Sequence, residues 1–223
     1  MSETSDAPEA LRLRKRNWLV APIATHNEVR DMVRAWHYSR SVPNTSTYRH
    51  GLFRSEYAPL AGVCFGAALW IPPTRTAAES VVGEDWRGVL CLSRLVVAPE
   101  VPPNGASFLL GRSMKMIDKR RWTVLLTYAD TAHGHTGAIY RATNWEELGA
   151  TPAGDVWVNE YGEQCGRKRG QRTLTVRDMT ARGLARLPSL PKIKCVYRFG
   201  PGGGRDAPLP DEPGTQRATE GDE

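Results

Sequence analysis

Apolar and polar residues alternate with different periods along the chain, and each change of period marks an element. Val29, Met32, Val33 and Trp36 recur three or four residues apart, as on one face of a helix. Thr25 and Glu28 precede them in the S/T-x-x-E arrangement that caps a helix start. Pro43 then forces an irregular loop, so the sequence Trp36-His37-Tyr38-Ser39-Arg40 is expected at a helix-to-loop junction. Three apolar runs, residues 60–70, 89–98 and 122–129, read as strands. Between the last two, Ala106, Leu109, Leu110, Met116 and Ile117 line one helical face. A further helix carrying Ile139 and Tyr140 should follow Asp130, with Pro152 limiting its reach, and extended pieces at 155–159 and 193–199 should complete the sheet. The predicted class is α/β, with a central mixed, twisted sheet flanked by helices.

Composition adds boundaries to this pattern. The 223 residues are enough for one domain with a sizeable core, and no internal repeat is present. Residues 200–223 are rich in Gly, Pro and charge with almost nothing apolar to bury, and residues 1–16 are similar, so both are expected to be disordered tails around a domain at 17–199. No charged, then apolar, then small-residue signal opens the chain and no apolar run reaches membrane-spanning length, so an intracellular, cytoplasmic protein is expected. Cys64, Cys91, Cys165 and Cys195 form no C-x-x-C pair, which argues against a zinc ribbon or a disulfide framework and for reduced, buried thiols.

The net charge of +6 matters less than its placement. Within the C-terminal part, about 163–199, a run of Arg and Lys from Arg167 to Arg198 meets little acid. Such a stripe suits a polyanion, with Arg167, Lys168, Arg169 and Arg172, joined by Arg40 and Tyr48, as candidate nucleic-acid contacts.

Candidate chemistry collects at strand ends. Asn104, Gly105, Ala106 and Ser107 open a helix whose unpaired N–H groups suit an anion such as a pyrophosphate, although an ordinary cap has the same appearance. Asp130 ends a strand where open α/β sheets hold ligands, and Tyr140 can project into that crevice as a proton donor. His133 and His135, at a helix start, splay about 200° apart, which argues against a metal on that pair and for mainly structural or capping roles, with the alternative that one of them joins His37 or Asp130 in a site assembled from distant parts of the chain. Iron or zinc held through His37 and neighbours is left open but not demanded by any spacing.

The stretches LCLSRLVVAPEVPPNGASFLLGRSMKMI and YADTAHGHTGAIYRATNWEELG, with WHYSR upstream and a final lysine-rich YRF strand, resemble the GNAT acyltransferase superfamily and, more narrowly, phage Mom-type DNA modification proteins over about residues 17–199. The resemblance implies a GNAT-like acyltransferase fold and modification of the exocyclic amino group of adenine in double-stranded DNA, protecting it from restriction. By position it implies catalytic roles for His37, Tyr38, Ser107, Asp130 and Tyr140. It also implies a donor site along Leu95, Val96 and Val97 with Asn104, Gly105, Ala106 and Ser107. The loop V-P-P-N-G-A-S departs from the usual Q/R-x-x-G-x-G/A pattern, so the small-molecule donor stays open between acetyl-CoA and a related acyl donor. Two alternatives stand beside this reading: a GNAT N-acetyltransferase acting on a small-molecule amine, a protein or an aminoacyl-tRNA, and a nucleic-acid-binding module without chemistry.

Overall fold

The computed structural model describes residues 13–23, 26–43, 45–55, 63–169 and 172–200, without the side chains of His26, Glu28 and Lys168. The strands of the main sheet are β1 (Trp18–Pro22), β2 (Tyr48–Arg54), β3 (Gly66–Ile71), β4 (Val89–Val97), β5 (Val124–Asp130), β6 (Glu146–Ala150) and β11 (Lys192–Arg198). The helices are α1 (His26–Trp36), α2 (Arg75–Val82), α3 (Gly105–Lys115), the one-turn α4 (Ala138–Arg141) and α5 (Val176–Ala181). Four short strands, β7 (Gly154–Val158), β8 (Lys168–Arg169), β9 (Arg172–Thr173) and β10 (Ala185–Ser189), lie between β6 and β11.

The seven-stranded sheet runs β1-β2-β3-β4-β5-β11-β6, and only β4 and β5 pair in parallel. The mixed sheet flanked by helices is as the sequence pattern predicts. Strand periodicity sorts the core: Ala68, Trp70, Leu90, Leu92, Leu125 and Tyr197 point toward α3, where Leu109, Leu110 and Met114 meet them. Their sequence neighbours point the other way, with Ala67 and Leu69 under α1 and Val89, Cys91, Val124, Leu126 and Val196 under α2. Among the described residues no helix is long and apolar enough to cross a membrane.

Several expectations need correction. The extended piece near 155–159 does not enter the main sheet: β7 pairs with β10 instead, and β11 pairs with β6. β6 was missed because its residues, Glu146, Glu147, Leu148, Gly149 and Ala150, are all exposed at a sheet edge and carry no alternation. Leu13, inside the stretch read as a tail, is buried and its N–H donates to Asn104 Oδ1 at 2.7 Å. Of the cysteines, Cys91 and Cys195 are buried while Cys64 and Cys165 are only partly so; all four are free thiols. The Thr25–Glu28 capping signal and most of both tails fall outside the described residues.

One buried polar cluster ties the sheet to α3. Trp70 Nε1 donates to Ser113 Oγ at 2.7 Å, and Ser113 Oγ also shares a hydrogen bond with His50 Nδ1 at 2.6 Å. Ser113→Ala strands two buried groups at once and should cost about 3 kcal/mol of unfolding free energy, readable by urea denaturation. Burial also lowers the pKa of His50 from 6.5 to about 4. The native state therefore refuses a proton that the unfolded chain accepts, so stability present above about pH 6.5 is lost as pH falls toward 4. Between pH 8 and pH 5 this one group should remove about 2 kcal/mol, and His50→Gln should flatten the pH dependence of Tm.

Candidate active site

β4 and β5 pair only through Val89–Val124, Leu90–Leu125 and Cys91–Leu126, then part. Beyond that point the β4 edge facing β5, from Leu92 to Val97, has no strand partner among the described residues, which leaves a crevice at the C-terminal ends of the two strands. At the fork, Thr127 Oγ1 reaches Leu92 O and the Tyr140 hydroxyl, both at 3.3 Å. α4 brings Tyr140 there because Gly134 and Gly137, at φ +73° and +76°, turn the chain twice with left-handed conformations that side chains resist.

Asp130 ends β5 and is 2% exposed. Its carboxylate is held on several sides: Lys192 Nζ at 2.6 Å from Oδ2, His133 Nδ1 at 3.5 Å from Oδ1, and Ala132 N–H donating to Oδ1 at 3.2 Å. Lys192 is there because it is the cross-strand partner of Asp130 in the β5–β11 register. Burial pushes the carboxyl pKa up, but the Lys192 ammonium and His133 outweigh it and hold the group below the ordinary carboxylate value.

The end of α1 delivers an aromatic ladder to this carboxylate. Tyr38 is stacked between His37, with ring centroids 4.3 Å apart, and His133, at 4.0 Å; His135 lies farther off at 5.6 Å and tilted. Burial, then the neighbouring Asp130 charge, raises the Tyr38 hydroxyl to about 12, so it keeps its proton at neutral pH. Burial, with Arg94 nearby, lowers His37 to about 4, so its ring is neutral. His37 Nδ1 accepts from Ser39 N–H at 3.1 Å, which places the ring proton on Nε2. Arg94 Nε donates to Ser41 O at 2.8 Å and holds this loop in place.

The structure thus brings His37, Tyr38 and Asp130 together, while Tyr140 meets Thr127 of the same strand at the fork. It adds three residues: His133, which the sequence left as mainly structural, Lys192, which it read as part of the basic Arg167–Arg198 run and which instead pairs with Asp130, and Arg94, which it did not single out. Ser107 does not join them, since its hydroxyl donates to Asn104 O at 2.9 Å in its own helix. Of the other donor-site residues, Val96 is buried under α1, Leu95 and Val97 pack on the opposite core face, and Gly105 sits so close to Val101 that an added Cβ would fall 2.1 Å from Cγ1. Asn104 stands at the N-cap position of α3, but its side chain makes no capping bond and accepts from Leu13 N–H instead. The open β4 edge suits an extended donor, whereas the α3 loop offers no cation for a pyrophosphate. Among the described residues no group of three or more His, Cys, Asp or Glu side chains is arranged to hold a metal, and the imidazoles stack rather than converge, so no step is assigned to one.

Trp36 is 44% exposed and Trp70 fully buried, so the two tryptophans divide between surface and core. Tyr48 is partly buried against the core beside His50. Arg40, at φ +44°, faces Glu163 Oε1 at 3.5 Å.

Comparison with known proteins agrees with the motif resemblance. The Mom protein family matches residues 17–183. The chain belongs to the Mom family. No curated protein matches it. Solved structures similar to this Mom family member include the ribosomal-protein-S18-alanine N-acetyltransferase from Escherichia coli, at 11% identity and TM-score 0.48, covering 83% of this chain and 96% of that one. Another is FeeM, an N-acyl amino acid synthase from uncultured soil microbes, at 14% identity and TM-score 0.45 over 81% and 90% of the two chains. A third is the GNAT family N-acetyltransferase YhbS from Escherichia coli in complex with CoA, at 15% identity and TM-score 0.44 over 58% and 69%.

Proposed function

We propose that this Mom family protein is a transferase that moves a small acyl-type group from a soluble donor to the exocyclic amino group of adenine in double-stranded DNA, shielding phage DNA from restriction in a bacterial cytoplasm. The observation that carries the reading is the Asp130–His133–Tyr38 constellation at the mouth of the β4–β5 fork. An adenine amino group is a poor nucleophile, because its lone pair is delocalised into the ring, and it is buried in a stacked duplex. It therefore needs extrusion into a pocket, a proton acceptor and donors for the departing group.

Each requirement has a candidate. Asp130 faces His133 Nδ1, which leaves Nε2 of that ring as the acceptor for the proton the amino group loses as its new bond forms. The bond between the transferred group and its carrier breaks, and the carrier takes a proton from Tyr140, whose burial favours the protonated hydroxyl. His37 Nε2–H and the Tyr38 hydroxyl supply hydrogen bonds to charge developing in the pocket. The donor would lie along the unpaired edge of β4 at Leu95, Val96 and Val97, with its anionic end near the N-terminal N–H groups of α3.

Digestion of DNA from cells expressing the protein tests this reading. Endonucleases whose recognition sites contain adenine should fail to cut a fraction of their sites, while those with sites lacking adenine cut normally. Equal cleavage with and without the protein, together with acetyl-CoA turnover on small amines, would favour the N-acetyltransferase alternative.

A further inference from the structure

Several arginines of the basic run are engaged within the protein. Arg167 donates through Nε and Nη2 to Leu174 O at 3.0 and 2.9 Å, Arg172 Nη2 donates to Asp178 Oδ2 at 3.1 Å and Arg186 pairs with Asp155, while Arg169 is exposed. A different group borders the candidate site and has no part in the proposed chemistry: the indole of Trp36.

α1 fixes the side on which that indole lies. Val29, Met32 and Val33 form its buried stripe, packed with Ala67, Leu69 and Val96 of the sheet. Trp36 stands two turns beyond Val29, within about 20° of it around the helix axis, and one turn beyond Met32. It is therefore in the middle of the sheet-facing stripe. Yet it is 44% exposed where Val29 and Val33 are fully buried, so the core below α1 stops short of it. Of the seven tryptophans Trp36 alone is exposed, the others being buried or partly so. Among the described residues its N–H has no hydrogen-bond partner and its ring no aromatic one.

Beyond the core on that side comes the aromatic ladder. His37 N–H donates to Val33 O at 3.0 Å, so the helical turn runs on through His37, on the flank of the same stripe. Tyr38 stacks on His37 and is itself 38% exposed. Trp36 thus adjoins the ladder by one peptide bond, on the side of α1 that faces the sheet. On the same turn Arg34 is exposed and has no carboxylate partner among the described residues. An uncovered indole beside a free guanidinium suits a ligand that is flat, aromatic and anionic at once, which is the description of a nucleotide in a strand.

We propose that Trp36 is a stacking platform for DNA: when the target adenine leaves the duplex for the β4–β5 crevice, the indole lies against the base left facing the gap. Extrusion exposes the neighbouring base to water, and an aromatic side chain restores the lost stacking whichever base is there. The inference rests on the reading of DNA as the substrate and adds the residue that offsets the cost of extrusion.

Full-length protein titrated with two duplexes of one random sequence, the first intact and the second with a single abasic site, tests it by fluorescence anisotropy. The abasic site offers the gap without extrusion. The unmutated protein should bind that duplex about tenfold more tightly than the intact one, with quenching of its tryptophan emission. Trp36→Ala should bind the two alike, while Trp36→Phe should keep most of the preference and lose the quenching. No preference in the unmutated protein, or a preference that Trp36→Ala keeps, would overturn the platform; a heavier deoxyadenosine in DNA from cells expressing the unmutated protein would then leave the proposed chemistry standing. A preference that depends on Trp36, with no modified base in those cells, would sink the chemistry and leave the platform.

Discussion

Asp130→Asn should lower base modification by about 10³-fold without weakening DNA binding. Asparagine keeps the shape of the side chain, so the fold around the β5 terminus should persist. It removes the charge that faces His133 at 3.5 Å and that Lys192 compensates at 2.6 Å. An imidazolium formed on His133 by proton abstraction then loses its counter-ion, and a lysine is left beside a neutral amide. The lost charge acts on the transition state rather than on the docked duplex, so the effect should fall on turnover. Quantifying modified nucleoside in DNA from cells expressing each variant, alongside anisotropy and circular dichroism of the purified proteins, separates the two. Modification by Asp130→Asn at the unmutated rate would remove the carboxylate from the mechanism.

His133→Ala should be comparably severe, at about 10²–10⁴-fold, because it deletes the proposed proton acceptor. The side chain is only partly exposed and its ring stacks on Tyr38, so a loss from disturbed packing must be distinguished from a loss of chemistry. Two controls do so. His133→Phe keeps a ring against Tyr38 and should be as inactive as alanine, and added imidazole should restore part of the activity of His133→Ala alone. Activity retained by His133→Phe would assign the ring a stacking role and return the base to another group.

The fold was legible where periodicity was strong. β4, β5 and α3 lie where the apolar runs placed them, since each is buried on the face its spacing marks. β6 escaped because an exposed edge strand leaves no apolar alternation, and β7 misled because its alternation serves the small core of residues 154–189. In the site, His37, Tyr38, Asp130 and Tyr140 were marked by motif and by position at element ends. Lys192 was read only as part of a basic run, since only the antiparallel register of β11 brings it to Asp130 across 62 positions of chain. His133 was read as structural from helix geometry, but a single turn of 3₁₀ helix capped by Asp130 points its ring at Tyr38 instead. Ser107 looked available in sequence and is turned onto its own helix.

The central claim is that the crevice places a new group on adenine. Nucleosides released from the DNA of cells expressing the unmutated protein, separated and weighed by mass spectrometry beside those from cells expressing Asp130→Asn, test it most directly. The account predicts a heavier deoxyadenosine species in the first sample alone, fragmenting to show the added mass on the base. Identical nucleoside profiles from both, with the unmutated protein folded and bound to DNA, would contradict it.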